Sequence, residues 1–150
     1  MSAIREATEE DVPRIVEMGL AFLRGSPYRK HIPENAEQLE TLTRRIIDGE
    51  SSACLVLERD GAPVGMMGLM AYDHFMSGEH GAVELVYWID PAARGSDGVR
   101  LLKAGEAWAS SQGAQWLQMI SPDARVDQFY ERLGYQLVER CFQRPLEMHA

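Results

Sequence analysis

The stretch "IDPAARGSDGVRLL", residues 89–102, decides how this chain is read. An apolar run ends at Ile89, Pro91 turns the chain, and Arg94, Gly95, Ser96, Asp97 and Gly98 follow in a row. Helical spacing then opens at Val99, Leu101 and Leu102. A strand, a glycine-bearing turn and a helix together make a place for an anion. The first turn of a helix leaves N–H groups without acceptors, and the macrodipole adds partial positive charge there. Glycine lets the backbone approach a phosphate with no side chain in the way, and Arg94 can add direct charge. The same residues also read as an ordinary turn with Ser96 or Asp97 as the helix N-cap. A carboxylate at Asp97 repels a pyrophosphate unless it points away. Neither the Gly-x-x-x-x-Gly-Lys-Ser/Thr loop nor the Gly-x-Gly-x-x-Gly dinucleotide spacing is present.

Working outward, "AVELVYWI" (residues 82–89) is a continuous apolar run, as expected for a strand covered on both faces. Before it, "SACLVLERDGAPVGMMGLMAY" (52–72) reads as two strands around Asp60-Gly61, a strong hairpin signal. Gly65 and Gly68 suggest a bulge or a close backbone approach in the second of these. "AIREAT" (3–8) is a short first strand, and Thr8 with Asp11 resembles a capping box. Val12, Ile15, Val16, Leu20 and Leu23 predict one helix, and Leu39, Leu42, Thr43, Ile46 and Ile47 predict a second that stops near Gly49. "RGSPYRKHIP" (24–33) and "DHFMSGEHG" (73–81) are loops.

After the quoted stretch a helix is expected from Gly98 to Gln112, stopped by Gly113. "AQWLQMI" (114–120) is a further strand, and Val126, Phe129, Tyr130 and Leu133 make an amphipathic helix ending at Gly134. "YQLVERCFQRPL" (135–146) is read as a closing strand. The order is β-α-α-β-β-β-α-β-α-β. Hairpins in the middle and crossovers at the end imply an α+β fold, a mixed, mostly antiparallel sheet between helices in a three-layer sandwich.

The chain's 150 residues suit a single domain spanning 1–150. A net charge of -8 disfavours nucleic acid and anionic membranes and mildly favours cationic partners, amines included. No apolar run reaches the roughly 20 residues of a membrane span, and the polar, acidic start does not read as a signal peptide. Cytoplasmic residence is the expectation. Cys54 and Cys141 both fall in apolar runs and are expected to be buried free thiols. His31, His74, His80 and His149 show no metal-ligand spacing and read as surface residues. Met66, Met67, Met70 and Met76 read as core or pocket lining, and Trp108 and Trp116 as core.

Two residues stand out chemically. Glu84 is the one charged residue inside "AVELVYWI", and alternation places it on the face of Val86 and Trp88. A carboxylate there is costly unless it is paired or lies at the edge of a site, and burial raises its pKa toward that of a useful base. Tyr130 lies on the apolar face of the last helix, as a core tyrosine or as a phenol aimed into a site.

The element order, "IREATEED" (4–11), the strand-Pro-x-x-Arg-Gly-loop-helix of 89–102 and "FYERLGY" (129–135) resemble the GNAT superfamily of acyl-CoA-dependent N-acyltransferases over nearly the whole chain. The resemblance implies an N-acetyltransferase that moves acetyl from acetyl-CoA to a small-molecule or peptide amine, directly and in a ternary complex. It implies that the coenzyme A pyrophosphate rests on the backbone of Arg94, Gly95, Ser96, Asp97, Gly98 and Val99. The pantetheine arm would pair with backbone near Trp88 and Ile89, where the fourth strand splays from the fifth. Asp123 stands where the family often has asparagine at the cofactor site. Glu84 would be the base, often acting through a water, and Tyr130 the acid at the coenzyme sulfur. His31 and His80 lie in loops that border the acceptor, and a homodimer is possible. The altered glycine loop keeps open a second reading, an acyl-CoA-binding regulatory module with little or no turnover. A third, a nucleotide-phosphate module, also stays open.

Overall fold

A computed structural model describes residues 1–147. Strand β1 (Ser2–Glu6) leads to α1 (Val12–Arg24) and α2 (Ala36–Asp48), then to β2 (Ser52–Arg59), β3 (Ala62–Asp73) and β4 (His80–Ile89). Helix α3 (Ser96–Ser111), β5 (Leu117–Gln118) and α4 (Ala124–Arg132) complete the order. The strands lie in that sequence across one sheet; β1 to β4 pair antiparallel and β4 pairs β5 in parallel. The expected mixed, mostly antiparallel sheet is therefore present. Asp60 and Gly61 both have positive φ, at 52° and 81°, which gives the β2–β3 turn the twist that adjacent antiparallel strands need. Thr8 donates its backbone N–H to the Asp11 carboxylate at 2.8 Å, as the capping box predicts.

Two apolar layers hold the sandwich. On one face α1 and α2 cover Cys54, Val56, Met66, Leu85, Val86 and Trp88. On the other, α3 and α4 cover Leu55, Leu57, Met67, Leu69, Tyr87 and Ile89. Leu101 and Leu102 of α3 are fully buried in that second layer, and truncating such a side chain costs about 2–5 kcal/mol.

The last strand is a correction. Residues 135–147 contain no strand, and Leu137, Val138, Phe142 and Leu146 are exposed. An alternating segment becomes a strand only when an edge accepts its backbone, and β5 offers two paired residues. Cys141 is exposed in consequence, whereas Cys54 is buried, and both are free. Met70 and Met76 are likewise exposed while Met66 and Met67 are buried, and both Trp108 and Trp116 are half-buried. His149 lies outside the described residues.

Candidate active site

The site begins with the short β4–β5 ladder. Among the described residues only Ala82–Leu117 and Val83–Gln118 pair across it. Beyond Val83, β4 runs on for six more residues while the partner strand has ended, so its outer edge is free. A gap at the carboxyl ends of parallel strands is where open α/β sheets place ligands.

A bulge then re-aims the side chains along that edge. Gly68 pairs with Val86 but Leu69 pairs with Glu84, so Leu85 is an extra residue in β4. The Gly68 signal is thus a bulge in the facing strand. Glu84 consequently shares a face with Leu69, Tyr87 and Ile89, not with Val86 and Trp88 as simple alternation places it. Leu85 and Val86 follow one another onto the opposite face.

Glu84 is 3% exposed. Burial pushes its pKa up to about 8, and one hydrogen bond from the Ile120 backbone pulls weakly the other way. The Tyr130 hydroxyl donates to the Ile120 carbonyl at a long 3.5 Å. Glu84 and Tyr130 therefore meet at one residue, on the far side of the gap from β4. The ring of Tyr130 packs at 5.8 Å from that of Tyr135 and 5.6 Å from that of Phe129. Burial, then the nearby Glu84, Tyr87 and Tyr135 charges, hold the Tyr130 phenol far above its usual range, so it stays a protonated donor. Tyr87, missed in the sequence because the bulge hides its face, joins this group. Its hydroxyl donates to the Gly98 carbonyl and so ties β4 to the start of α3. Burial and Glu84 raise its pKa as well.

The turn at 94–99 closes the mouth of the gap. Gly95 has φ 141° and ψ -144°, a conformation that side-chain-bearing residues rarely adopt, and α3 starts at the next residue. Ser96 is exposed, Val99 half-buried, and Gly98 is buried against Tyr87 and Ile89. Asp97 does not cap the helix. Its carboxylate binds Arg59 at 2.8 Å and Arg100 at 2.7 Å, and these partners hold its pKa down to about 2. The carboxylate is thus turned onto two arginines, and the helix start keeps its positive character. Arg94 does not reach over that start. Its Nε donates to the Ile89 carbonyl at 3.0 Å, and its guanidinium lies 5.0 Å from the centre of the Trp88 ring.

Trp88 and Asp123 are two further residues expected at the cofactor. The Trp88 carbonyl lies on the β3 side, 3.0 Å from where a Cβ on Gly65 would stand. The Asp90 N–H also faces β3, donating to Val64. By alternation the backbone groups that face the gap belong to Tyr87 and Ile89; the Trp88 backbone is committed to the sheet. Asp123 is the N-cap of α4, with Oδ1 accepting from the Arg125 and Val126 amides at 3.0 Å each. Its side chain is therefore engaged in starting α4.

The other face of β4 is different. A cavity of about 250 Å³ lies between α1, α2 and the sheet, with Leu85 and Val86 in its wall. His31 and His80 are not among its lining residues, whereas Tyr28 and Ile32 are. His80 instead faces Asp73 at 2.8 Å. Among the described residues no helix is long and apolar enough to cross a membrane.

A sequence model of the acetyltransferase (GNAT) family matches residues 19–135. The chain belongs to that family. Among solved structures, one described as a transcriptional regulator from Bacillus halodurans C-125 matches with TM-score 0.79 and 22% identity, covering 97% of this chain and 100% of the other. A GCN5-related N-acetyltransferase from Ralstonia eutropha JMP134 matches at 0.75 and 19%, covering 97% and 99%. An aminoglycoside 6'-N-acetyltransferase from Acinetobacter haemolyticus matches at 0.73 and 15%, covering 98% and 99%. At these identities the likeness shows the fold. No curated protein matches the chain at a comparable level.

Proposed function

We propose that this protein transfers an acetyl group from acetyl-CoA to a primary amine, directly and within a ternary complex. The observation that carries the reading is the convergence of Glu84 and Tyr130 on Ile120, beside the free edge of β4 and below the start of α3.

The start of α3 would take the pyrophosphate on the Ser96 and Asp97 amides, while the Gly98 amide donates to the Gly95 carbonyl at 3.0 Å. Gly95 permits that approach, and Arg59 and Arg100 neutralise Asp97. The pantetheine arm would run along the free edge of β4 and pair with Tyr87 and Ile89, which requires the Arg94 side chain to release the Ile89 carbonyl. An alkylamine with pKa about 10.4 is almost fully protonated near neutrality, so it must lose a proton before it can attack. Glu84, in its ionised form above about pH 8, would take that proton through a water in the gap. A carbon–nitrogen bond then forms and the carbon–sulfur bond breaks. The departing thiolate, with a pKa near 8.5, would be stabilised by a hydrogen bond from the Tyr130 hydroxyl, which keeps its proton, and would take a proton from solvent once released. No cysteine stands in a nucleophilic setting: Cys54 is buried and its pKa is pushed up to about 12, chiefly by that burial, which argues against an acyl-enzyme.

The test is initial rates with acetyl-CoA and a panel of primary amines, alongside coenzyme A binding. Turnover that falls about a hundredfold or more in Tyr130→Phe, with coenzyme A binding retained, supports the reading. One observation favours the second reading, an acyl-CoA-binding regulatory module: Arg94 holds the Ile89 carbonyl that the arm would need. Tight coenzyme A binding with no turnover on any amine would select it.

A further inference from the structure

The cavity behind the β4 bulge has a chemistry of its own. Its lining includes Phe22, Leu39, Leu42, Gly68, Leu85 and Val86, and none of its lining residues carries a formal charge at neutral pH. The polar groups in it are few. The Thr43 hydroxyl is already spent on the Leu39 carbonyl at 2.7 Å, and the Cys54 thiol is held neutral by burial. At the rim, Ile32 and Leu42 expose large apolar side chains, 39% and 37% accessible. A cavity of roughly 150 Å³ lined by apolar side chains can take up benzene. The 250 Å³ found here has room for a ring with a short alkyl link.

Its position gives it an occupant. Leu85 and Val86 follow Glu84 directly in β4 and turn to the opposite face. Leu85 and Val86 thus belong both to the cavity wall and to the part of β4 beyond Val83 that β5 leaves unpaired. No lining residue is a carboxylate that could pair with a second ammonium, and an unpaired buried charge is expensive. The molecule's overall charge of -8 draws cations to the surface, but that aids encounter more than selection.

We propose that the acceptor is a monoamine with an apolar aryl or alkyl body, which fills the cavity between α1, α2 and the sheet while its amine reaches the β4 edge. Polyamines and aminoglycosides are then poor acceptors. This rests on the acetyl-transfer reading above and goes beyond it by naming the class of amine.

The experiment uses the full chain with acetyl-CoA and compares 2-phenylethylamine, ethylamine, spermidine and kanamycin by kcat/KM. The expected order puts 2-phenylethylamine first by at least tenfold. In Gly68→Ala the new Cβ meets Val86 and Ile46 at 3.4 and 3.6 Å and lies on the cavity wall. It should cut the preference for 2-phenylethylamine over ethylamine about tenfold. Ile32→Asp, at an exposed rim position, should do the same without touching the core. Spermidine or kanamycin turning over as well as 2-phenylethylamine overturns the inference, as does a preference unmoved by both variants. If no amine turns over although acetyl-CoA binds, the transferase reading fails and calorimetric binding of 2-phenylethylamine decides the cavity. Binding weakened by Gly68→Ala supports an apolar amine site; no binding overturns it.

Discussion

The two faces of β4 do opposite things within three residues. Toward α3 and α4 the strand presents Glu84 and Tyr87, close to Tyr130 and Tyr135, a carboxyl and three phenols that all titrate well above their ordinary values. Toward α1 and α2 it presents Leu85 and Val86, and behind them a cavity without formal charge. One inserted residue separates the titratable side from the apolar side. A regular strand with the same composition would have alternated the two characters across both faces. The comparison teaches that titratable and apolar character are set independently on the two faces, although their residues are neighbours in sequence.

Several changes can break or sharpen that contrast. The largest effect is expected on the polar side. Tyr130→Phe should lower kcat about 10²–10⁴-fold while sparing coenzyme A affinity, measured by steady-state rates beside calorimetry. Glu84→Gln comes next, with a distinct signature. The wild-type rate should rise with pH through about 8 as Glu84 ionises. In the variant that rise should move up toward the amine's own pKa, about 10.4, and a profile that does not move would remove Glu84 from the mechanism.

At the mouth of the gap, Gly95→Val forces a branched side chain into φ 141°. Strain of this kind costs about 1–3 kcal/mol, and coenzyme A affinity should fall by roughly tenfold or more in a titration. Arg59→Ala leaves Asp97 with Arg100 alone, so coenzyme A should bind a few-fold more weakly, an effect that added salt diminishes.

A further effect is on stability. Glu84 has a folded pKa of about 8 against 4.5 for the free group. Below pH 4.5 it is protonated in both states. Between 4.5 and 8 the folded chain holds a proton that the unfolded chain has lost, so this group's contribution to stability declines as pH rises. The slope is at most about 1.4 kcal/mol per pH unit, and the loss ends near pH 8. Urea midpoints measured across that window should fall less steeply in Glu84→Gln than in the parent chain.

The sequence made most of this layout legible, for reasons that differ by element. Asp60-Gly61 named its turn because the geometry demands positive φ there. Helices α1 and α2 were readable because their apolar stripes repeat over three turns. Glu84 and Tyr130 were found because a lone charge in an apolar run and a phenol on an apolar face are each costly without a purpose. Their faces were harder. A bulge adds one residue to an otherwise apolar run and leaves no break in period to betray it, so simple alternation puts Glu84 on the wrong face and hides Tyr87. The closing strand failed for the opposite reason. Residues 135–146 carry the propensity, but pairing depends on an edge elsewhere in the chain, and β5 is two residues long. Arg94 and Asp97 show a third limit. Charged side chains at the surface choose partners that spacing along the chain does not reveal, a carbonyl five residues back for Arg94 and the distant Arg59 for Asp97.

The most direct test of the account is a crystal structure of this protein with coenzyme A bound. The account predicts the diphosphate on the amides that begin α3 and the arm along Tyr87 and Ile89, with Arg94 displaced. It places the sulfur within hydrogen-bonding reach of the Tyr130 hydroxyl. A diphosphate bound elsewhere, or a sulfur far from a Tyr130 hydroxyl still closed on Ile120, would contradict it.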